Sequence, residues 1–310
     1  MSALATSLAD YLTVRRALGA RMERGEALLK QFVDYCDSRG IDTVTVEIAQ
    51  TWAMLPSNQS VVWWNTRLCA VRPFARWLRA VTPATEVPPT DLFGRINARR
   101  SNPHIYTDVE IVALMTACSH FHTFILRATY ETLIGLLAVT GMRIGEAINL
   151  DDDDIDWEQQ TLTLRSTKFG GSRLLCLQTS TIHALRSYMG RRDSLLPNRA
   201  TKNLFVSCRG TRLFHSAVTE AFHRTLEWAH LQPDASGHRP RVHDLRHTFA
   251  VTTLRDWHFA GVDVEVRLPL LSTYMGHVKP KDTYWYLSAS PELLAAAAAR
   301  LAIHQNGGVR

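Results

Sequence analysis

Thr140-Gly141-Met142-Arg143-Ile144-Gly145-Glu146 sets an arginine and a glutamate three residues apart, one helical turn, on one face. Four further pieces follow it in the chain: Lys168 beside Gly170-Gly171, His243-Asp244-Leu245-Arg246-His247, Gly276-His277, and Trp285-Tyr286. Each alone is a common combination. Together they offer two arginines, a lysine, two histidines and a tyrosine, a cationic cage around one hydroxyl nucleophile. No acidic cluster is spaced to hold a catalytic metal. Neither a metal nor another cofactor is therefore expected, and the cage itself would have to stabilise phosphate charge.

In this order and at these spacings, the set resembles the tyrosine recombinase (lambda-type phage integrase) family over roughly residues 104 to 290. The resemblance implies a mainly α fold with a small antiparallel β-sheet. A helical N-terminal core-binding domain would clamp DNA opposite an α+β catalytic domain. It implies a site-specific DNA recombinase that cuts and rejoins double-stranded DNA through a 3′-phosphotyrosine, integrating or excising a mobile element as a tetramer on DNA. The alternatives are strand cutting and resealing like a type IB topoisomerase, or a chromosome-dimer resolving recombinase. A DNA-binding module that has lost catalysis is a different class, and the intact set argues against it.

The resemblance also distributes roles. Arg143 and Arg246 would grip non-bridging phosphate oxygens bidentately. Glu146 would orient Arg143 or the lysine. His243, one turn before Arg246, would donate to the phosphate or accept the tyrosine proton, while His247 points elsewhere and supports packing. Lys168 would be the general acid for the 5′ oxygen, and His277 would bond the scissile phosphate. The family places its nucleophile nine residues after the Gly-His histidine, which gives Tyr286 and leaves Tyr284 and Tyr274 to pack. From Arg246 to His277 is 31 residues, longer than in compact members, with the extra residues around Asp256 to Pro269.

The bulk properties agree with two domains. A chain of 310 residues, 46% hydrophobic, is long enough for two cores. Thirty-five Lys+Arg stand against 29 Asp+Glu, and Arg far outnumbers Lys, which suits bidentate phosphate contacts. The five cysteines are odd in number and lack CxxC spacing, so they read as reduced, mostly buried thiols of a cytoplasmic protein that is nucleoid-associated on DNA. Cys118, His120 and His122 lack a fourth ligand and read as a helix end. No signal peptide or membrane span is expected.

Along the chain, 1–85 reads as the helical DNA-clamp domain, 86–103 as a linker, and 104–310 as the catalytic domain with a C-terminal tail. Thr45 is a plausible helix N-cap. In the helix carrying Leu68, Val71, Phe74 and Leu78, Pro73 should kink the axis or mark the true start. That helix carries Arg67, Arg72, Arg76 and Arg79, which with Arg99 and Arg100 of the linker are the expected DNA-contacting cations. Trp52, Trp63, Trp64 and Trp77 read as core. The catalytic part should open with helices over Thr107–Cys118 and Ile125–Val139. Alternation at Thr161–Arg165, a turn at Gly170-Gly171 and a return at Arg173–Leu177 predict a β-hairpin with Lys168 near its tip. Asp151–Asp154 reads as a solvated turn. The tail, Ser290 to Ile303, would be a helix that docks into a neighbouring subunit or packs on its own.

Overall fold

The computed structural model describes residues 2–20, 22–55, 58–94, 103–165, 171–234, 237, 239–277, 279 and 281–289. Lys168, Arg99, Arg100 and the tail beyond residue 289 lie outside the described residues. The chain divides into two compact units, Met1–Arg100 and Ser101–Arg310.

The first unit is built from α1 (Ala3–Ala17), α2 (Glu23–Asp37), α3 (Val46–Met54) and α4 (Val61–Val81). Side-chain oxygens of Ser2, Thr45 and Ser60 cap the starts of α1, α3 and α4, each accepting from a backbone N–H of the first turn. Leu29, Phe32, Cys36, Trp52, Leu68, Val71 and Phe74 have no more than 1% of their surface exposed and form the centre. Pro73 does not mark the start of the helix: α4 runs unbroken from Val61 to Val81, with Pro73 inside it. Pro73 and Cys69 both lie on the exposed face, where water can take the carbonyl that the missing N–H leaves.

Two of the expected DNA-contacting arginines are structural instead. Arg67, 7% exposed, donates to the Trp52 carbonyl (3.1 Å) and lies 3.8 Å over the Trp52 ring. Arg72, 4% exposed, donates to the carbonyls of Pro88 (3.1 Å) and Pro89 (2.9 Å) and to Asn65 Oδ1 (3.0 Å). The helix turns them inward because each finds carbonyl acceptors there, which a buried guanidinium requires. Arg76 and Arg79 remain on the exposed face.

The first part of the expected linker is also bound into this unit. Thr85 is buried, Glu86 donates its backbone N–H to Val44 O (2.8 Å), and its carboxylate accepts from Val46 N (2.7 Å) at the start of α3. Leu92 and Phe93 pack on the core, with Phe93 5.8 Å from Trp64.

The second unit contains α5 (Asp108–Ala117), α6 (Phe124–Thr140), α7 (Ile144–Ala147), β1 (Ile155–Asp156), β2 (Thr161–Leu164), β3 (Arg173–Cys176), α8 (Thr179–Leu195), α9 (His215–Trp228), α10 (Asp244–Phe259), α11 (Val264–Met275) and α12 (Lys281–Ala289). The strands form one antiparallel sheet in the order β1-β2-β3, with Leu164 paired to Arg173 at the end of the hairpin next to its connecting segment. Thr107 and Glu110 form a reciprocal capping box at the start of α5. α6 is the central element: Leu133, Ile134, Leu136 and Leu137 are buried among residues from α5, α8, α9 and the sheet. A smaller cluster joins Val251 and Leu254 of α10, Leu268 and Leu271 of α11 and Tyr286 of α12. The extra residues between Arg246 and His277 complete α10, turn at Gly261 and open α11.

Asp151–Asp154 is not a solvated turn. Asp152 holds the fully buried Arg192 (2.7 Å) and Arg199, and the buried Asp154 pairs with Arg165 (2.6 Å). The acids fold back because the arginines of α8 and its following loop need carboxylate partners in the interior. The thiols also differ from expectation: Cys36 and Cys118 are buried, but Cys69, Cys176 and Cys208 are exposed.

Candidate active site

Two left-handed glycines position the site. Gly141 (φ 59°) ends α6 and Gly276 (φ 65°) ends α11. A side chain at Gly141 would run into the Phe249 ring, so only glycine suits this turn. Immediately after it, Arg143 becomes the N-cap of α7, and its backbone N–H donates to Glu146 Oε2 (2.8 Å). The Arg143 guanidinium donates to Glu146 Oε1 (2.9 Å) and to the carbonyl of Gly276 (2.9 Å).

Arg246, in the first turn of α10, is 2% exposed. It donates to the Gly141 carbonyl (2.6 Å) and to the Met275 carbonyl (2.6 Å). Two helix C-termini thus present carbonyls to one buried cation, the favourable sense of the helix dipole. Burial, then the nearby Arg143, lower its pKa to about 10, so it stays charged at neutral pH.

Glu146 serves a third arginine that the motif reading passed over. Arg173, the first residue of β3, sends Nη1 to Glu146 Oε1 (3.0 Å) and Nη2 to Oε2 (2.7 Å). Burial works to raise the Glu146 pKa, but hydrogen bonds from Arg173 and Arg143 outweigh it, and the carboxyl is held below its usual value. The available signal was an arginine just past a Gly-Gly turn, on a hairpin that offers it no facing acid.

The histidines are held close to the same arginines. His277 shares a 2.7 Å hydrogen bond between Nδ1 and Thr283 Oγ1, and Thr283 is fully buried. Burial, followed by Arg246 and Arg143, pushes His277 down to about 4. His243 still presents surface to solvent, but desolvation of its protein-facing side, then His247 and Arg246, bring it to about 4 as well. Both rings are therefore neutral at physiological pH.

Tyr286 is 2% exposed, and its ring stacks on His277 (6.1 Å between centroids, 19° between planes). Tyr274 stacks on Phe249 as expected for packing. Tyr284 does not pack as expected: it is 53% exposed, because α12 turns it outward as it turns Tyr286 in. His247 departs from its expected supporting place as well. Its Nδ1 lies 3.2 Å from the Tyr286 hydroxyl, because α12 crosses α10 on that side of the helix. The structure thus gathers Arg143, Glu146, Arg246, His277 and Tyr286 with Arg173 and His247, and sets His243 against His247 at 4.8 Å between ring centroids. Lys168 belongs to the segment joining β2 and β3 and is not among the described residues.

Among the described residues, no group of three or more His, Cys, Asp or Glu side chains could hold a metal ion. His120, from the suspected cluster near Cys118, instead stacks on Trp228 (5.6 Å). Chemically, the assembled site is a set of fixed cations with a buried phenol among them. It can bind a phosphodiester and offer it one oxygen nucleophile.

Comparison with known proteins agrees with this chemistry. Residues 105–292 match the Phage integrase family. A protein of Sinorhizobium fredii named putative integrase/recombinase y4rB is 38% identical over 97% of this chain and 98% of its own length. Tyrosine recombinase XerD of Mycobacterium tuberculosis is 35% identical over 50% of this chain and 46% of its own. Among solved structures, the Tn1549 transposon integrase in complex with transposon right end DNA shares the fold at a TM-score of 0.65, with 19% identity over 97% of this chain and 100% of that one. A lambda integrase dimer bound to a core site gives 0.56, with 16% identity over 90% of this chain and 96% of that one. The class so defined is the site-specific DNA recombinases of the tyrosine type. Within it, the chain belongs to the phage integrase family.

Proposed function

We propose that this recombinase integrates or excises a mobile element, cutting each DNA strand with Tyr286. The phenol oxygen attacks phosphorus in line, and the bond to the 5′ oxygen breaks as Lys168 protonates it. A 3′-phosphotyrosine and a free 5′-hydroxyl result. The 5′-hydroxyl of a partner strand then attacks the phosphotyrosine and reseals the backbone. Arg143 and Arg246 neutralise the non-bridging oxygens, Glu146 holds Arg143, and His277 and His243 bond the phosphate while neutral. The observation that carries this reading is the burial of Tyr286 against His277, within the ring of arginines, while Tyr284 faces solvent.

A relative that is 38% identical over nearly the whole chain is named an integrase/recombinase, which supports the mobile-element reading over strand resealing alone. The partner is double-stranded DNA with a specific recombination site, bound by a tetramer. Arg76 and Arg79 of α4, with Arg99 and Arg100, contribute phosphate contacts. No described helix is long and apolar enough to cross a membrane, and the protein works in the cytoplasm on the nucleoid.

The test is covalent trapping. A duplex nicked near its cleavage point loses the leaving strand and should capture the protein on a denaturing gel. Capture should persist in EDTA, because the arginines supply the charge neutralisation. A covalent step that stops without added magnesium would contradict the reading.

A further inference from the structure

We infer that His247 accepts the phenolic proton of Tyr286 as the tyrosine attacks phosphorus, a reading that rests on Tyr286 as nucleophile. Three observations carry it. Tyr286 is 2% exposed, so its proton needs an acceptor within the protein. His247 Nδ1 lies 3.2 Å from the phenol oxygen, within hydrogen-bond reach of the proton it would take. The His247 ring is fixed from two sides, edge-on to His243 (4.8 Å, 88°) and to Trp285 (5.4 Å, 63°). His277, the other ring against Tyr286, meets it face to face and has Nδ1 engaged by Thr283. It is thus suited to hold the phenol ring, and His247 to take its proton.

The step balances without a co-reactant. Before attack, His247 is neutral with its proton on Nε2, so that Nδ1 carries the accepting lone pair. As the bond from the phenol oxygen to phosphorus forms, the phenolic proton moves to Nδ1. The bond from phosphorus to the 5′ oxygen breaks, and that oxygen takes its proton from Lys168. In rejoining, a 5′-hydroxyl attacks phosphorus and passes its proton to the lysine. The phenol oxygen departs and recovers its proton from His247. His243, expected from the sequence as a possible acceptor for this proton, is left to the phosphate and to bracing the His247 ring.

The experiment compares wild type, His247→Ala and His247→Gln in single-turnover cleavage of the nicked duplex, with Tyr286 as tyrosine or as a fluorinated tyrosine of more acidic phenol. Loss of a general base should slow His247→Ala by about 10²-fold or more. Its DNA binding in a gel shift should be unchanged. A more acidic phenol ionises without help, so fluorination should recover most of the rate lost by His247→Ala while changing wild type little. If His247→Ala does not fold, His247→Gln carries the same comparison. Equal slowing with both tyrosines, or a His247→Gln variant as fast as wild type, would overturn the role of His247. Trapping that survives Tyr286→Phe would instead remove the nucleophile assignment beneath it.

Discussion

Arg173 and Glu146, 27 residues apart in sequence, meet in a two-pronged ion pair of 3.0 and 2.7 Å, with side chains 12% and 7% exposed. The same carboxylate holds Arg143. Through it the β2–β3 hairpin is locked to the turn that presents Arg143, so β3 and the arginine proposed to grip phosphate share one anchor.

Arg173→Met should therefore leave a buried carboxylate with one cation where it had two. The expected loss is about 3 kcal/mol in urea unfolding at neutral pH, at the low end for breaking a buried pair because Arg143 remains. The sign with pH follows from the lowered Glu146 pKa. Stability from this pairing is present above the unfolded carboxyl pKa and is lost as pH falls through the folded one. The gap between wild type and Arg173→Met should thus narrow in acid. A gap that widened below about pH 4 would contradict this.

Arginines of one helix should separate by burial. Arg72→Ala removes hydrogen bonds to two carbonyls and one side-chain amide. A charged hydrogen bond contributes about 1.5–3 kcal/mol, so the variant should lose several kcal/mol of stability. Arg76→Ala and Arg79→Ala should change stability by less than about 0.5 kcal/mol. Each should instead lower the salt dependence of DNA binding by roughly one counterion. Thermal melting and salt-titrated gel shifts distinguish the two outcomes.

Gly276→Ala should impair activity far more than folding. At φ 65° a side chain costs about 1–2 kcal/mol, and its Cβ would sit 2.5 Å from Arg173 Nη1 and 3.0 Å from Cζ. The arginine would have to leave Glu146. Gly145→Ala, with nothing within 4 Å of the added atom, serves as the control and should be neutral or slightly stabilising. Equal cleavage rates in the two variants would show that the Arg173 anchor is dispensable.

Acid should weaken the fold before the carboxylates titrate. His243 and His277 titrate near 4 in the folded protein, against an ordinary value of 6.5. Between those values the unfolded chain binds protons that the folded chain refuses, so stability falls as pH drops from about 6.5 towards 4. His277→Gln should flatten that decline in urea titrations at successive pH values. An unchanged slope would mean that the ring is not held neutral.

Much of this was legible in the sequence, for local reasons. The helix start at Thr107, the cap at Thr45 and the alternation from Thr161 to Arg165 each depend on a few neighbouring residues, and the structure has a helix start, a cap and a strand there. Arg143 and Glu146 meet because one turn of backbone brings them together. What escaped depends on distant partners. Arg67 and Arg72 read as surface cations because the acceptors that bury them belong to Trp52 and to Pro88-Pro89. Arg173 gave no sign of Glu146. His247 lies about 100° around the helix from Arg246, on a face that looks idle until α12 lays Tyr286 across it.

The central claim, that Tyr286 forms the covalent bond to DNA, is tested most directly by trapping wild type, Tyr286→Phe and Tyr284→Phe on the nicked duplex and mapping the peptide that carries the nucleotide. Wild type and Tyr284→Phe should trap, with the phosphotyrosine in the Trp285-Tyr286 peptide. Tyr286→Phe should bind DNA with unchanged affinity and never trap. Covalent capture of Tyr286→Phe, or its loss in Tyr284→Phe, would contradict the account.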